Sequence, residues 1–203
     1  NIILSVVSVA CGLTRIFYKA MYSMAEMGWD DHTIILTLFA GVPSVVLIDR
    51  GLLPNGLGRD VWTMSFDRIT VFVRWLYVLE ILYFFQMTLL KLTLLFFFLR
   101  IFPKTIVRNL LKGTIVFTIL YGLTFVIVAI FQCRPISHYW TNWDKEHNDG
   151  QCININALAW SNAIISIVLD VWMLVLPLYE VFKLQLTLRK KMSVAIMFLV
   201  GTL

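Results

Sequence analysis

Two ionisable side chains stand where water is scarce. Lys91 interrupts the apolar run TLLKLTLLFFF, and Asp170 interrupts IISIVLDVWMLVL. A charge near the centre of a bilayer costs about 2.5–3.5 kcal/mol on insertion scales and rarely faces lipid, so each residue marks a partner, a path or a switch. If Arg100 and Lys183 lie at the same interface, Lys91 is about 13 Å deep and Asp170 about 19 Å deep, a difference a lysine side chain spans. The expectation is an ion pair, or a shared polar network, between the spans that carry them. Snorkelling of Lys91 to the surface and a protonated, purely structural Asp170 are the competing readings.

Other polar residues fall into register with this pair. At 100° per residue, Asn156, Asn162, Ser166 and Asp170 lie within an arc of about 120°, with Pro177 near the same stripe. Glu80 shares the face of Lys91 but sits three turns away, about 16 Å, too far to bond directly. Glu80 and Gln86 are expected to line an outward-opening cavity, and packing polarity without a ligand is an equal reading. Cys133 and Cys152 share one polar loop and are expected to form a disulfide; its loop of about 20 residues corresponds to roughly 3 kcal/mol in the chain-entropy model. Two free thiols is the bland alternative. A metal held by Cys133, His138, His147 and Cys152 fits no standard zinc spacing, so no metal is expected. Cys11 reads as a small buried apolar residue. Asp30, Asp31 and His32 precede an apolar run, where carboxylates cap backbone N–H groups and meet the positive end of a helix dipole.

These residues need a scaffold, and composition names its solvent. Of 203 residues, 60% are hydrophobic and 14% charged, whereas soluble domains are about 45–50% apolar and about 25% charged. No aqueous fold hides that much apolar surface. The net charge of +5 comes from short scattered clusters with no continuous basic face, which argues against nucleic-acid binding.

Runs long enough to cross the hydrocarbon core occur at roughly 33 to 50, 73 to 99, 109 to 132 and 156 to 182, with partial runs at 1 to 17 and 192 to 203. Their length and lack of alternation predict helices rather than barrel strands. Pro43 and Pro177 are expected to kink the second and fifth helices. The odd loops carry Arg15, Lys19, Arg100, Lys104, Arg108, Lys112, Lys183, Arg189, Lys190 and Lys191. The even loops carry fewer cations, offset by Asp49, Asp60, Asp67, Asp144, Glu146 and Asp149. By the positive-inside rule the odd loops are cytoplasmic. Arg100, Arg189, Lys190 and Lys191 then form a cytoplasmic surface for lipid phosphate or a partner protein. The chain begins at Asn1 without Met and stops at Leu203 inside an apolar run, so the expectation is a piece cut at both ends. No phosphate-binding loop, dinucleotide turn, zinc-protease motif or nucleophile elbow is present, and the chain is not expected to be an enzyme.

Several stretches, in order, resemble one family. They are Asp30-Asp31, GLGRDVW at 56 to 62, KLTLLFFFLRIFP at 91 to 103, FQCRP at 131 to 135 with Trp140 and GQC at 150 to 152, and Asp170 followed by LPLYEVFKLQLTLRKK at 176 to 191. The chain resembles the fungal Pth11-like and SAT4-type rhodopsin-domain integral membrane proteins over nearly its whole length. The resemblance implies that Lys91 and Arg100 belong to a third-helix signature, Cys133 and Cys152 to an outer-loop pair, and Asp170 and Pro177 to a fifth-helix signature. It also implies a G-protein-coupled-receptor-like bundle; the word rhodopsin in the family name is no evidence for a chromophore. The family usually has His where this chain has Asp60, and an aromatic residue where it has His32.

The expectation is therefore a single all-α transmembrane domain over residues 1–203, supplying the first six helices of a seven-helix bundle. Its expected role is that of an orphan receptor in the plasma membrane, with an extracellular ligand and a heterotrimeric G protein as partners and no cofactor. A transporter or channel with a Lys/Asp path, or a membrane-embedded biosynthetic-pathway protein, is the alternative.

Overall fold

The computed structural model describes residues 2–22, 28–102, 104–143 and 150–183. Six helices dominate: α1 (Ile2–Tyr22), α2 (Trp29–Val46), α3 (Phe66–Ile101), α4 (Thr105–Ile130), the single turn α5 (His138–Thr141) and α6 (Ile155–Lys183). Two two-residue strands, β1 (Cys133–Arg134) and β2 (Gln151–Cys152), pair antiparallel with Cys133 opposite Cys152. The expected run at 192 to 203 lies outside the described residues. Among those described, four helical stretches are long and apolar enough to cross a membrane: Trp29–Leu52, Phe66–Ile101, Thr105–Ile130 and Ile155–Pro177. The protein is an integral, multi-pass, all-α membrane protein.

Local chemistry sets the helix ends. Asp31 accepts the Gly28 N–H at 2.9 Å, which closes the start of α2. Asn154 Oδ1 accepts the backbone N–H groups of Asn156 and Ala157 at 3.1 and 3.3 Å, capping α6. Ser65 stands at the N-cap of α3 with Asp67 in the first turn, where negative charge meets the dipole. The membrane helices run past their apolar runs at one end or both. α3 has 36 residues, or about 54 Å, so its Phe66 end projects well beyond a core of about 30 Å.

Pro43 and Pro177 both sit inside continuous helices. Beyond Pro43, α2 does not break but widens into a π-helical stretch, Leu47–Leu52; a proline removes one backbone donor, and the relaxed ladder follows within a turn. Cys11, expected to be buried, is exposed on α1.

Two apolar clusters hold the helices. One joins Leu92, Leu95 and Phe98 of α3 to Val107, Leu111 and Ile115 of α4 and Met173 of α6. The other, toward the hairpin, joins Phe84, Ala129 and Leu158. Gly122 lets α4 approach α3 closely, because a Cβ there would collide with the Thr88 side chain. Outside these clusters large apolar side chains such as Phe39, Ile106, Leu120 and Val168 are exposed, which a lipid solvent tolerates and water does not.

Candidate functional site: a polar seam between α3 and α6

The buried positions of α3 include Phe84, Lys91, Leu95 and Phe98, spaced by seven, four and three residues, a helical stripe. Leu158, Asn162, Ser166, Leu169 and Met173 form the matching stripe on α6. Lys91 is 4% exposed. Its Nζ meets Asp170 Oδ1 and donates to the Ser166 carbonyl at 3.2 Å. Ser166 thus contributes its backbone to the pair. Half of the Asp170 side chain stays exposed, against 5% for Lys91, so the cation is enclosed while its counter-ion lies at the edge of the bundle. One turn away, the Tyr121 hydroxyl of α4 bonds Asn162 Oδ1 and lies 3.2 Å from its carbonyl. The seam therefore ties three helices through Lys91, Asp170, Ser166, Asn162 and Tyr121.

Glu80 belongs to a second, separate tier. It accepts hydrogen bonds from Gln132 Nε2 and from the Tyr139 hydroxyl, each at 3.1 Å. Burial, and then the adjacent Glu80 charge, push the Tyr139 phenol far above its ordinary range. Tyr77 donates to the Ile130 carbonyl at 2.8 Å, its ring lies tilted against Tyr139 at 5.0 Å and edge-on to Trp140 at 6.0 Å, and the Arg74 guanidinium lies 5.0 Å over the Trp140 ring. Beside this tier the Cys133–Cys152 disulfide crosses β1 and β2, joining the end of α4 to the start of α6. Apart from the disulfide, the hydrogen bonds of this tier join residues more than 50 positions apart.

With the disulfide face and the buried pair placed, similarity to known proteins becomes informative. Residues 14–203 match the family model described as the fungal rhodopsin domain. This chain belongs to that family. It is similar to a SAT4 family membrane protein of Emericella nidulans, 28% identical over 86% of this chain and 42% of the relative. A second similar protein, from Metarhizium anisopliae, is named polyenoic acids biosynthesis gene cluster protein Ba17b; it is 25% identical over 92% of this chain and 51% of its own length. The chain thus spans about half or less of these curated relatives. No solved structure matches.

In this fungal rhodopsin domain the expected single polar network is divided. Gln86 is about 140° around α3 from Lys91 at 100° per residue, and its amide nitrogen lies 3.2 Å from where a Cβ on Gly41 of α2 would stand; it faces α2. Asn156 is exposed in the first turn of α6, above the stripe that meets α3. Glu80 is held by Gln132 and Tyr139 of the segment after α4, away from the Lys91–Asp170 pair. Among the described residues no cluster of His, Cys, Asp or Glu is arranged to hold a metal.

At the opposite end of the bundle lies a cluster that the sequence reading missed. Asp30 and Asp31 are each 3% exposed. Asp30 Oδ2 accepts from Arg15 at 3.0 Å and from Arg100 at 3.4 Å, while Lys19 pairs with Asp31. Capping is therefore only part of their work: they also clasp α1 and α3 to the start of α2. Arg100, expected as free partner surface, has its guanidinium turned toward Asp30. Arg189, Lys190 and Lys191 lie outside the described residues. Five charges at one end of three helices, three positive and two negative, were the available signal.

Proposed function

We propose that this chain is the membrane-embedded part of an orphan receptor-like protein of the plasma membrane. An external cue engages the disulfide-bearing face and biases two packings of α3 and α6 around Lys91, Asp170 and Pro177. The basic ends of α1, α3 and α4 face the cytoplasm, consistent with the excess of Lys and Arg there, and signal to a partner such as a heterotrimeric G protein; no catalysis is involved. The observation that carries this reading is the Lys91–Asp170 pair. A buried cation and its edge-lying counter-ion join two helices, and an ion pair at membrane depth gives two arrangements of distinct energy when it is made or broken.

The experiment expresses the full-length protein in a fungal cell with a cytosolic reporter of G-protein activity. Asp170→Asn is expected to change the cue-independent signal several-fold while surface expression is kept. An unchanged signal at equal expression counts against the switch. The name of the Metarhizium relative favours a second reading, a membrane-embedded protein of a biosynthetic pathway. Deletion of the gene would then alter a metabolite with no change in the reporter.

A further inference from the structure

The clasp on Asp30 leaves more positive charge than its structural task requires. Arg15, Lys19 and Arg100 stand against Asp30 and Asp31, an excess of one positive charge, and the two carboxylates are buried while Arg15 and Arg100 are 44% and 51% exposed. The carboxylates are thus consumed inside the protein and the cationic edges face outward. One oxygen, Asp30 Oδ2, anchors both guanidiniums, which fixes them side by side although they come from different helices. Each guanidinium has five N–H donors in a rigid fork and uses only some of them here. The neighbouring residue, Trp29, is exposed and stacks on Phe96 at 6.5 Å, the placement of an indole that rests among lipid headgroups. All of this lies where α1 ends, α2 begins and α3 ends, at the level where a bilayer presents its phosphates.

We infer that Arg15 and Arg100, held together by Asp30, form a binding site for the phosphate of an anionic phospholipid, with Trp29 packed beside its glycerol. The pre-set pair matches a tetrahedral phosphate because neither guanidinium has to be ordered on binding. Lys19 is committed to Asp31, with its side chain 13% exposed, and serves as support. Occupancy joins the ends of α1 and α3 a second time, so the lipid stabilises the same three-helix junction as Asp30. The inference does not depend on what cue the protein senses.

The test uses the full-length protein in detergent, titrated with phosphatidic acid and monitored by native mass spectrometry, with phosphatidylcholine and soluble glycerol 3-phosphate as the comparison probes. Phosphatidic acid is expected to bind at least ten-fold more tightly than either. Arg100→Lys keeps the charge and the pairing with Asp30 but removes the fork; it is expected to weaken phosphatidic acid binding at least five-fold with the thermal midpoint nearly unchanged. Arg15→Gln is expected to do at least as much. Arg108→Gln, at the same end but outside the clasp, is expected to change binding less than two-fold. Equal binding of phosphatidylcholine overturns the site. So does an Arg108→Gln effect as large as that of Arg100→Lys, which would make the attraction a general one to a basic surface. Glycerol 3-phosphate binding as tightly as the lipid would assign the site to a soluble phosphate and overturn the lipid assignment.

Discussion

Replacing Asp170 with Asn removes the counter-ion of Lys91 and leaves the buried ammonium with the Ser166 carbonyl. Lys91 lies ten residues from the end of α3 at Ile101, about 15 Å of helix, so both groups are near the middle of a core about 30 Å thick. Breaking a buried pair by removing one partner costs about 3–5 kcal/mol, and an isolated charge at this depth about 2.5–3.5 kcal/mol. The two ranges overlap at about 3 kcal/mol, which is the loss expected. For a chain of this length that corresponds to roughly 6–12 °C in the thermal midpoint. Lys91→Met should cost a comparable amount, because it leaves the Asp170 carboxylate at the same depth without its counter-ion. The double variant Lys91→Met with Asp170→Leu replaces the pair by apolar contacts and should return to within about 1 kcal/mol of the parent. Detergent-denaturant titrations of the parent, Lys91→Met, Asp170→Leu and the double variant give the coupling energy directly. Additive losses in the double variant would refute the reasoning, as would a loss under about 0.5 kcal/mol for Asp170→Asn.

Further outcomes follow from the other contacts. Reducing the Cys133–Cys152 bond, or introducing Cys133→Ser, should lower stability by about 3 kcal/mol in the chain-entropy model, read as a midpoint shift that reductant produces in the parent but not in the variant. Gly122→Val should destabilise by about 1–3 kcal/mol, since α4 can no longer approach α3, and Thr88→Ala should recover only part of it, because the Thr88 Cβ would still stand 2.8 Å from the new Cβ. Glu80→Leu leaves Tyr139 and Gln132 without their shared acceptor and should cost about 1–3 kcal/mol. Tyr139→Phe should cost only about 1 kcal/mol, because it removes one donor and leaves Glu80 bonded to Gln132; urea-free thermal melts of the two side by side separate the effects.

The scaffold was legible because each span announces itself locally: an apolar run of sufficient length must be helical in lipid, whatever it packs against. The depths of Lys91 and Asp170 follow from the same arithmetic, and so does the facing stripe on α6. Partner choice at longer range was not legible. Nothing within α2 states that Asp30 meets Arg100, 70 positions away, since helical periodicity gives the face a residue occupies and not the neighbour on that face. Gln86 shows the related error: a polar residue near Lys91 in sequence was grouped with it, although five residues turn a helix about 140°. For Glu80 a cavity wall and packing polarity were equal readings, because its partners, Gln132 and Tyr139, come from a loop whose path no periodic pattern describes. The widening of α2 past Pro43 was missed because proline chemistry predicts a lost hydrogen bond without fixing how the chain accommodates it.

Distances between spin labels at Ile101 on α3 and Tyr179 on α6, measured by electron–electron resonance in lipid nanodiscs, test whether the buried pair governs how these helices sit. Both positions are exposed, and a Cys11→Ser background leaves only the disulfide cysteines beside the labels. A single narrow distribution in the parent that broadens or shifts by several ångströms in Asp170→Asn is the predicted result. Superimposable distributions in the two proteins, both folded, would contradict it.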